Sequence, residues 1–184
     1  MSYTITTYQG MMMKQGSALQ SSFRDPAGTV FVDEGCVYRQ IHDAGCRDYY
    51  MLMNSGLYHK LVSNGLIVEH HEVPAPVLDK RTLYRIIRPQ MIQFVSYPYE
   101  WTFGQIKDAA LATLDIQALA LEYGMVLKDA SAYNVQFFMG RPVLIDTLSF
   151  TVYSEGMPWP AYGQFCRHFL APLALMAKVD VRMS

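Results

Sequence analysis

Three side chains in one short stretch have the types and spacing to do chemistry together: Asp129, Asn134 and Asp146. They lie in the run Leu127-Lys128-Asp129-Ala130-Ser131-Ala132-Tyr133-Asn134-Val135-Gln136-Phe137-Phe138-Met139-Gly140-Arg141-Pro142-Val143-Leu144-Ile145-Asp146. An acid is followed by an amide. Two apolar, strand-like runs then flank a Gly-Arg-Pro turn, and a second acid closes the second run. A loop carboxylate can accept the proton of an attacking hydroxyl. An amide oxygen and a second carboxylate are hard ligands of the kind Mg²⁺ takes when it bridges phosphates. Lys128 either touches a transferring phosphate or is a surface cation beside Asp129. Asp and Asn are also common turn formers and helix caps, so the spacing is weak by itself. Its specificity comes from the elements around it.

Those elements can be read from periodicity. Phe23 to Val32 reads as strand, turn, strand, with Pro26 and Gly28 marking the turn, and Cys36 to Ile41 alternates as a third strand. Asp48 to Asn64 is expected to be one helix, with Tyr50, Met53, Leu57 and Leu61 on one face and Asn64-Gly65 as its stop. Leu66 to Val68 and Leu83 to Ile87 are strand candidates, separated by a Pro74-Ala75-Pro76 loop, and Gln93 to Tyr99 could end the sheet. Phe103 to Tyr123 is the clearest helix. Thr102 and Gln105 form a capping-box pattern, and Gly124 suits the left-handed position past its end. Ile106, Ala110, Leu114, Ala118 and Leu121 make its apolar stripe. After Asp146 an irregular stretch precedes a last helix from Tyr162 to about Lys178, interrupted at Pro172. The expected class is α+β. A leader covers 1–21, a β-rich lobe with one helix 22–98, and a short helical lobe 99–184 carrying the acid–amide–acid loop.

Composition excludes several functions. The formal net charge is −1, from 15 basic and 16 acidic residues, so no basic field supports nucleic-acid binding. No apolar run reaches the roughly 20 residues of a membrane span, and the N-terminus lacks the pattern of a signal peptide. Cys36, Cys46 and Cys166 form no C-x-x-C pair, which fits reduced thiols in a cytoplasm. His70-His71-Glu72 invites a metal reading, but neighbours on a strand point to opposite faces, so solvated edge residues are expected there. Ser131 and Ser149 lack a base placed in sequence, and Trp101 and Trp159 read as packing anchors.

The acid–amide–hairpin–acid order resembles the catalytic segment of kinase-like phosphotransferases, the protein kinases and aminoglycoside phosphotransferases. That resemblance implies a two-lobed fold with a magnesium-nucleotide (ATP) between the lobes. Asp129 would be the catalytic base with Lys128 beside it, Asn134 and Asp146 would hold Mg²⁺, and Arg39 would contact phosphate. Five departures stand out. Arg39 replaces the strand Lys, whose geometry differs. The nucleotide loop is reduced to Asp25-Pro26-Ala27-Gly28, and the expected helix Glu is missing. Lys128-Asp129 and Asp146-Thr147-Leu148 depart from the usual runs.

Longer strings carry a second resemblance. Phe23-Arg24-Asp25-Pro26, Tyr97-Pro98-Tyr99-Glu100-Trp101, Lys107-Asp108-Ala109-Ala110-Leu111, the run from Leu127 to Asn134, Ile145 to Phe150, and Phe169 to Met176 are similar to the N-terminal region of bacterial, nodulation-protein-related class I SAM-dependent methyltransferases. In that family the methyltransferase domain lies downstream, and this chain contains no G-x-G turn, so SAM binding by these residues alone is not expected. Two functions follow. One is a kinase-like domain that binds Mg-nucleotide and transfers phosphate to an unknown acceptor. The other is a non-catalytic, pseudokinase-like accessory domain whose partner is a methyltransferase domain.

Overall fold

The computed structural model describes residues 25–74 and 83–180. The leader and the first half of the expected strand–turn–strand at Phe23 lie outside the described residues, as does most of the Pro74-Ala75-Pro76 loop. Strand β1 (Gly28–Asp33) pairs antiparallel with β2 (Cys36–His42). Glu34 and Gly35, both at positive φ, make the two-residue turn whose twist suits a hairpin. β2 pairs next with β4 (Leu83–Pro89), and β4 with the edge strand β3 (His70–Glu72), giving an antiparallel sheet in the order β1-β2-β4-β3.

Between β2 and β3 the chain turns into α1 (Cys46–Asn54) and α2 (Leu57–Ser63). This corrects the single helix expected from Asp48 to Asn64. Gly56 sits at φ 93°, and a left-handed residue ends the hydrogen-bond ladder. The buried face is also rotated: Tyr49, Leu52, Leu57, Tyr58 and Leu61 point inward, while Tyr50 is exposed. Leu66 to Val68 is no strand; Ile67 makes one isolated parallel bridge to Leu144. Gln93 to Tyr99 is an irregular link ending in a 3-10 turn, Pro98–Glu100.

The second lobe opens with α3 (Phe103–Glu122), capped reciprocally by Thr102 and Gln105 and closed by Gly124 at φ 71°. Its buried face is Ile106, Ala109, Ala110, Ala112, Thr113, Ile116, Gln117 and Ala120, whereas Leu111, Leu114 and Leu121 are exposed. The expected stripe is thus wrong at Leu114, Ala118 and Leu121. Small residues let the helix approach β5 (Met125–Leu127) and β7 (Arg141–Leu144) closely, so alanine faces inward and leucine outward. β5 pairs with β8 (Phe150–Val152), a ribbon the sequence did not suggest. β6 (Val135–Phe138) and β7 form the expected hairpin, but its turn is Met139-Gly140, both at positive φ, and Arg141-Pro142 already belong to β7. The last helix divides into α4 (Tyr162–Phe165), a π turn (Cys166–Leu170) and α5 (Ala171–Lys178). The interruption precedes Pro172, which has no N–H for the ladder.

The expected α+β architecture, an antiparallel sheet lobe followed by a helical lobe, is the one observed, with two helices in the sheet lobe where one was expected. The lobes share a core in which Leu52, Leu57 and Leu61 pack with Ile116, Leu127, Leu144 and Phe150. A second core joins Trp101, Ile106 and Ala109 to Ala132, Val135 and Phe169 beneath the acid–amide loop. A third sets Leu148 against Ile41, Tyr49 and Ile87 of the sheet lobe.

Candidate functional site

The loop between β5 and β6 carries Asp129 and Asn134, and Asp146 follows β7. Ser149 joins them. Its carbonyl accepts Lys128 N at 2.8 Å and Asp129 N at 3.4 Å, and its own N–H donates to Asp146 O at 3.3 Å. Asn134 Nδ2 donates to Ser149 Oγ at 3.2 Å. Ile145 N donates to Asn134 O at 2.8 Å, which sets the amide beside the strand end that bears Asp146. The three residues singled out from sequence therefore meet around one buried serine. No sequence signal marked Ser149, because two of its three ties are made by backbone.

Asp146 is buried and caps the 3-10 turn Thr147–Ser149, its Oδ1 accepting Leu148 N at 2.9 Å. The same oxygen accepts from Arg39 Nη1. Arg39 rises from β2, in register with Val30 and Ile87, and its Nη2 donates to Asp25 Oδ2 at 2.9 Å. The guanidinium thus spans both lobes, held by one acid from each. Asp25 is the acid of the sheet lobe that pairs with Arg39, a partner the sequence reading did not name. Gly28 lies directly over this pair. A Cβ there would stand 2.7 Å from Leu148 Cδ1, 2.8 Å from Gln40 O and 3.3 Å from Arg39 Nε, so only glycine lets β1 pass this closely.

Two acids against one cation leave this group one negative charge in excess. Beside it, Asn134 Oδ1 is buried without a partner, as is Arg39 Nε. Buried polar atoms are normally paired, and an unpaired one has room for an ordered water or an ion as its partner. Among the described residues no three His, Cys, Asp or Glu side chains cluster as a metal site. One carboxylate and one amide oxygen still fit Mg²⁺, which keeps waters and takes phosphate oxygens for its other ligands. Asp129 differs in being half-buried, with Oδ1 accepting Ser131 N at 2.9 Å. Lys128 does not join the group. Its Nζ pairs with Asp48 Oδ2 at 3.1 Å, and Asp48 Oδ1 also accepts Thr151 Oγ1 and Val152 N, tying α1 to β8.

Two histidines gained roles that the sequence reading missed. His168, on the π turn, accepts Ala132 N at 3.3 Å through Nδ1 and meets Ser131 Oγ at 3.2 Å. Burial lowers its pKa against the opposing pull of Asp129. His70 is buried rather than a solvated edge residue, although His71 and Glu72 are exposed as expected. Its Nε2 meets Tyr49 Oη at 3.1 Å, Tyr49 donates to Glu72 Oε1 at 3.0 Å, and Tyr58 bonds both its N–H and its carbonyl. Burial pushes its pKa down to about 4, with a smaller push from His71. His70 Nδ1 faces Thr147 Oγ1 at 3.5 Å, next to Asp146. Trp101 is buried and donates to Ser96 Oγ, and Trp159 donates to Leu127 O, so both anchor packing.

No protein-family model matches the chain. It is similar to nodulation protein NoeA of Rhizobium meliloti (strain 1021), 35% identical over 162 residues that make up 87% of this chain and 34% of that protein. The chain thus spans about a third of the relative's length. Among solved structures it is similar to vaccinia related kinase 3, with 13% identity and a TM-score of 0.46 over 79% of this chain and 54% of that one. Among the described residues no helix is long and apolar enough to cross a membrane.

Proposed function

We propose that the chain is a kinase-like domain that binds a magnesium-nucleotide and passes a phosphoryl group to an acceptor hydroxyl. The observation that carries this is the buried, partnerless Oδ1 of Asn134 beside Asp146, in a group with one more carboxylate than cation. Asn134 and Asp146 would hold Mg²⁺, which supplies charge neutralisation at the phosphate oxygens when bound. Arg39 would contact phosphate on releasing one of its two carboxylate partners. Asp129 would hold the acceptor hydroxyl and take its proton. The hydroxyl oxygen bonds to the terminal phosphorus while the bond to the bridging oxygen breaks, and the nucleoside diphosphate leaves with that electron pair.

One observation favours a second reading. Arg39 is engaged by carboxylates on both arms, Asp25 and Asp146, which suits a site held shut. On this reading the chain is a pseudokinase-like part of a longer protein, as its threefold longer relative suggests. Its partner would be a SAM-dependent methyltransferase domain.

Thermal unfolding with Mg²⁺ and ATP separates the two. Binding to the folded state alone adds about 2.7 kcal/mol at a hundredfold excess over Kd, and a chain of this size gains roughly 2–4 °C per kcal/mol. The phosphotransfer reading expects a saturable rise of several degrees in the wild type. Asp146→Ala, compared with its own unliganded midpoint, should lose most of that rise, and Asp129→Ala should keep it. A wild type that no nucleotide shifts supports the accessory reading. Equal loss in both variants would mean that base and metal ligand have been assigned the wrong roles.

A further inference from the structure

The loop that carries Asp129 has a second face, and it forms one wall of a cavity of about 280 Å³. The opposite walls are the 3-10 turn with Tyr99 and the π turn with Arg167 and His168, backed by Pro172. The π turn has a local cause and a local result. Ala171 N donates to Cys166 O, five residues back, just before a proline that cannot donate at all. The widened turn carries His168 to the loop and Arg167 to the cavity. Such turns are frequent at functional sites.

The lining sets the ligand's chemistry. Ala132 N donates to His168 Nδ1, so that nitrogen carries no proton and Nε2 is the ring's donor. Arg167 is exposed and makes no hydrogen bond or ion pair with any described residue. Tyr99 and Tyr133 add ring surface. Among the described residues no carboxylate lines the cavity. Donors and one cation therefore surround an otherwise apolar space at the small end of the range for small-molecule pockets. A single guanidinium matches one planar carboxylate, bound by two parallel hydrogen bonds.

We infer that this cavity binds a small ring compound bearing one carboxylate, with Arg167 as its charge partner and the tyrosine rings against its face. The inference deepens the phosphotransfer reading, on which this compound is the acceptor, because Ala132 and Tyr133 of the cavity wall belong to the loop that carries Asp129.

The test is calorimetric titration of the 184-residue chain with 4-hydroxybenzoate and with its neutral isostere 4-hydroxybenzamide. The acid should saturate the wild type and bind about tenfold or more tightly than the amide, as expected for a charge-assisted pair. Arg167→Gln should abolish that preference while leaving the thermal shift with Mg-nucleotide unchanged. Tyr99→Ala should weaken both probes. Equal affinity for acid and amide, an unaltered preference in Arg167→Gln, or no saturation by either probe would overturn the inference. A wild type that prefers the acid yet shows no shift with any nucleotide supports the carboxylate site and overturns its assignment to an acceptor.

Discussion

Asp146 and Asn134 stand side by side, yet the fold depends on them very differently. Removing Asp146 leaves Arg39, almost fully buried, with Asp25 as its one carboxylate. Breaking a buried pair from one side costs about 3 kcal/mol or more. Asn134→Ala deletes an oxygen that has no partner and one hydrogen bond to Ser149, a loss of about 1 kcal/mol. Urea unfolding should therefore show Asp146→Ala clearly less stable than Asn134→Ala. Equal losses would mean that the Arg39 pair contributes little. His70 gives a second residue-scale expectation. Its folded pKa of about 4 lies below the ordinary value of 6.5, so the fold holds it neutral. Falling pH protonates the unfolded chain first. Stability is thus complete above about pH 6.5 and drains away as pH falls towards 4, with about 2 kcal/mol lost between pH 7.5 and 5. His70→Gln should remove most of that slope in urea midpoints taken across the same interval. That Asp129, Asn134 and Asp146 come together was legible from their order around the hairpin. Ser149 and Asp25 were not, since one acts largely through its backbone and the other through an ion pair with Arg39, fourteen residues on in the sheet lobe.

Among the elements, α1 is the one held most specifically. Asp48 in its first turn receives Lys128 Nζ, Thr151 Oγ1 and Val152 N, which fastens the helix to the β5–β8 ribbon. The ion pair is partly exposed and contributes little. The two hydrogen bonds from β8 matter more, at about 1 kcal/mol each. Asp48→Ala should lower stability by about 2 kcal/mol. It should also speed hydrogen exchange at the Val152 amide, and unchanged protection there would show that the ribbon does not rely on α1. Local signals gave the elements well where they were complete: the capping box of α3 and its terminal Gly124 each lie within a few residues of the helix end they mark. The phase of α3 was not legible. Hydrophobicity ranks leucine above alanine, but close packing against β5 and β7 selects the smaller side chain for the inside. The break at Gly56 did carry a signal, a glycine within a helical pattern.

At the scale of the whole molecule, pairing was the least legible property. β5 meets β8, and β2 meets β4, across long separations that no local pattern encodes. The class of fold was still readable, because most of the first part reads as strands while the second opens and closes on helices. One expectation concerns the whole chain and its longer relative. A class I methyltransferase needs a glycine turn through which backbone approaches the cofactor, and none occurs in this sequence. Calorimetry of the 184-residue chain with SAM should show no saturable heat. One-site micromolar binding would mean that the cofactor is held by another device.

The Ser149 junction has a consequence for precision. When parts hang from separate supports, their placement errors add. Here Asp129, Asn134 and Asp146 are all referenced to one residue, two of them through main-chain bonds that any side chain except proline's would preserve. Thermal motion of that residue carries the three together, so their mutual spacing is disturbed less than the position of any one. Arg39 and Asp25 lie outside this common reference and are joined to it through one ion pair, that of Arg39 with Asp146.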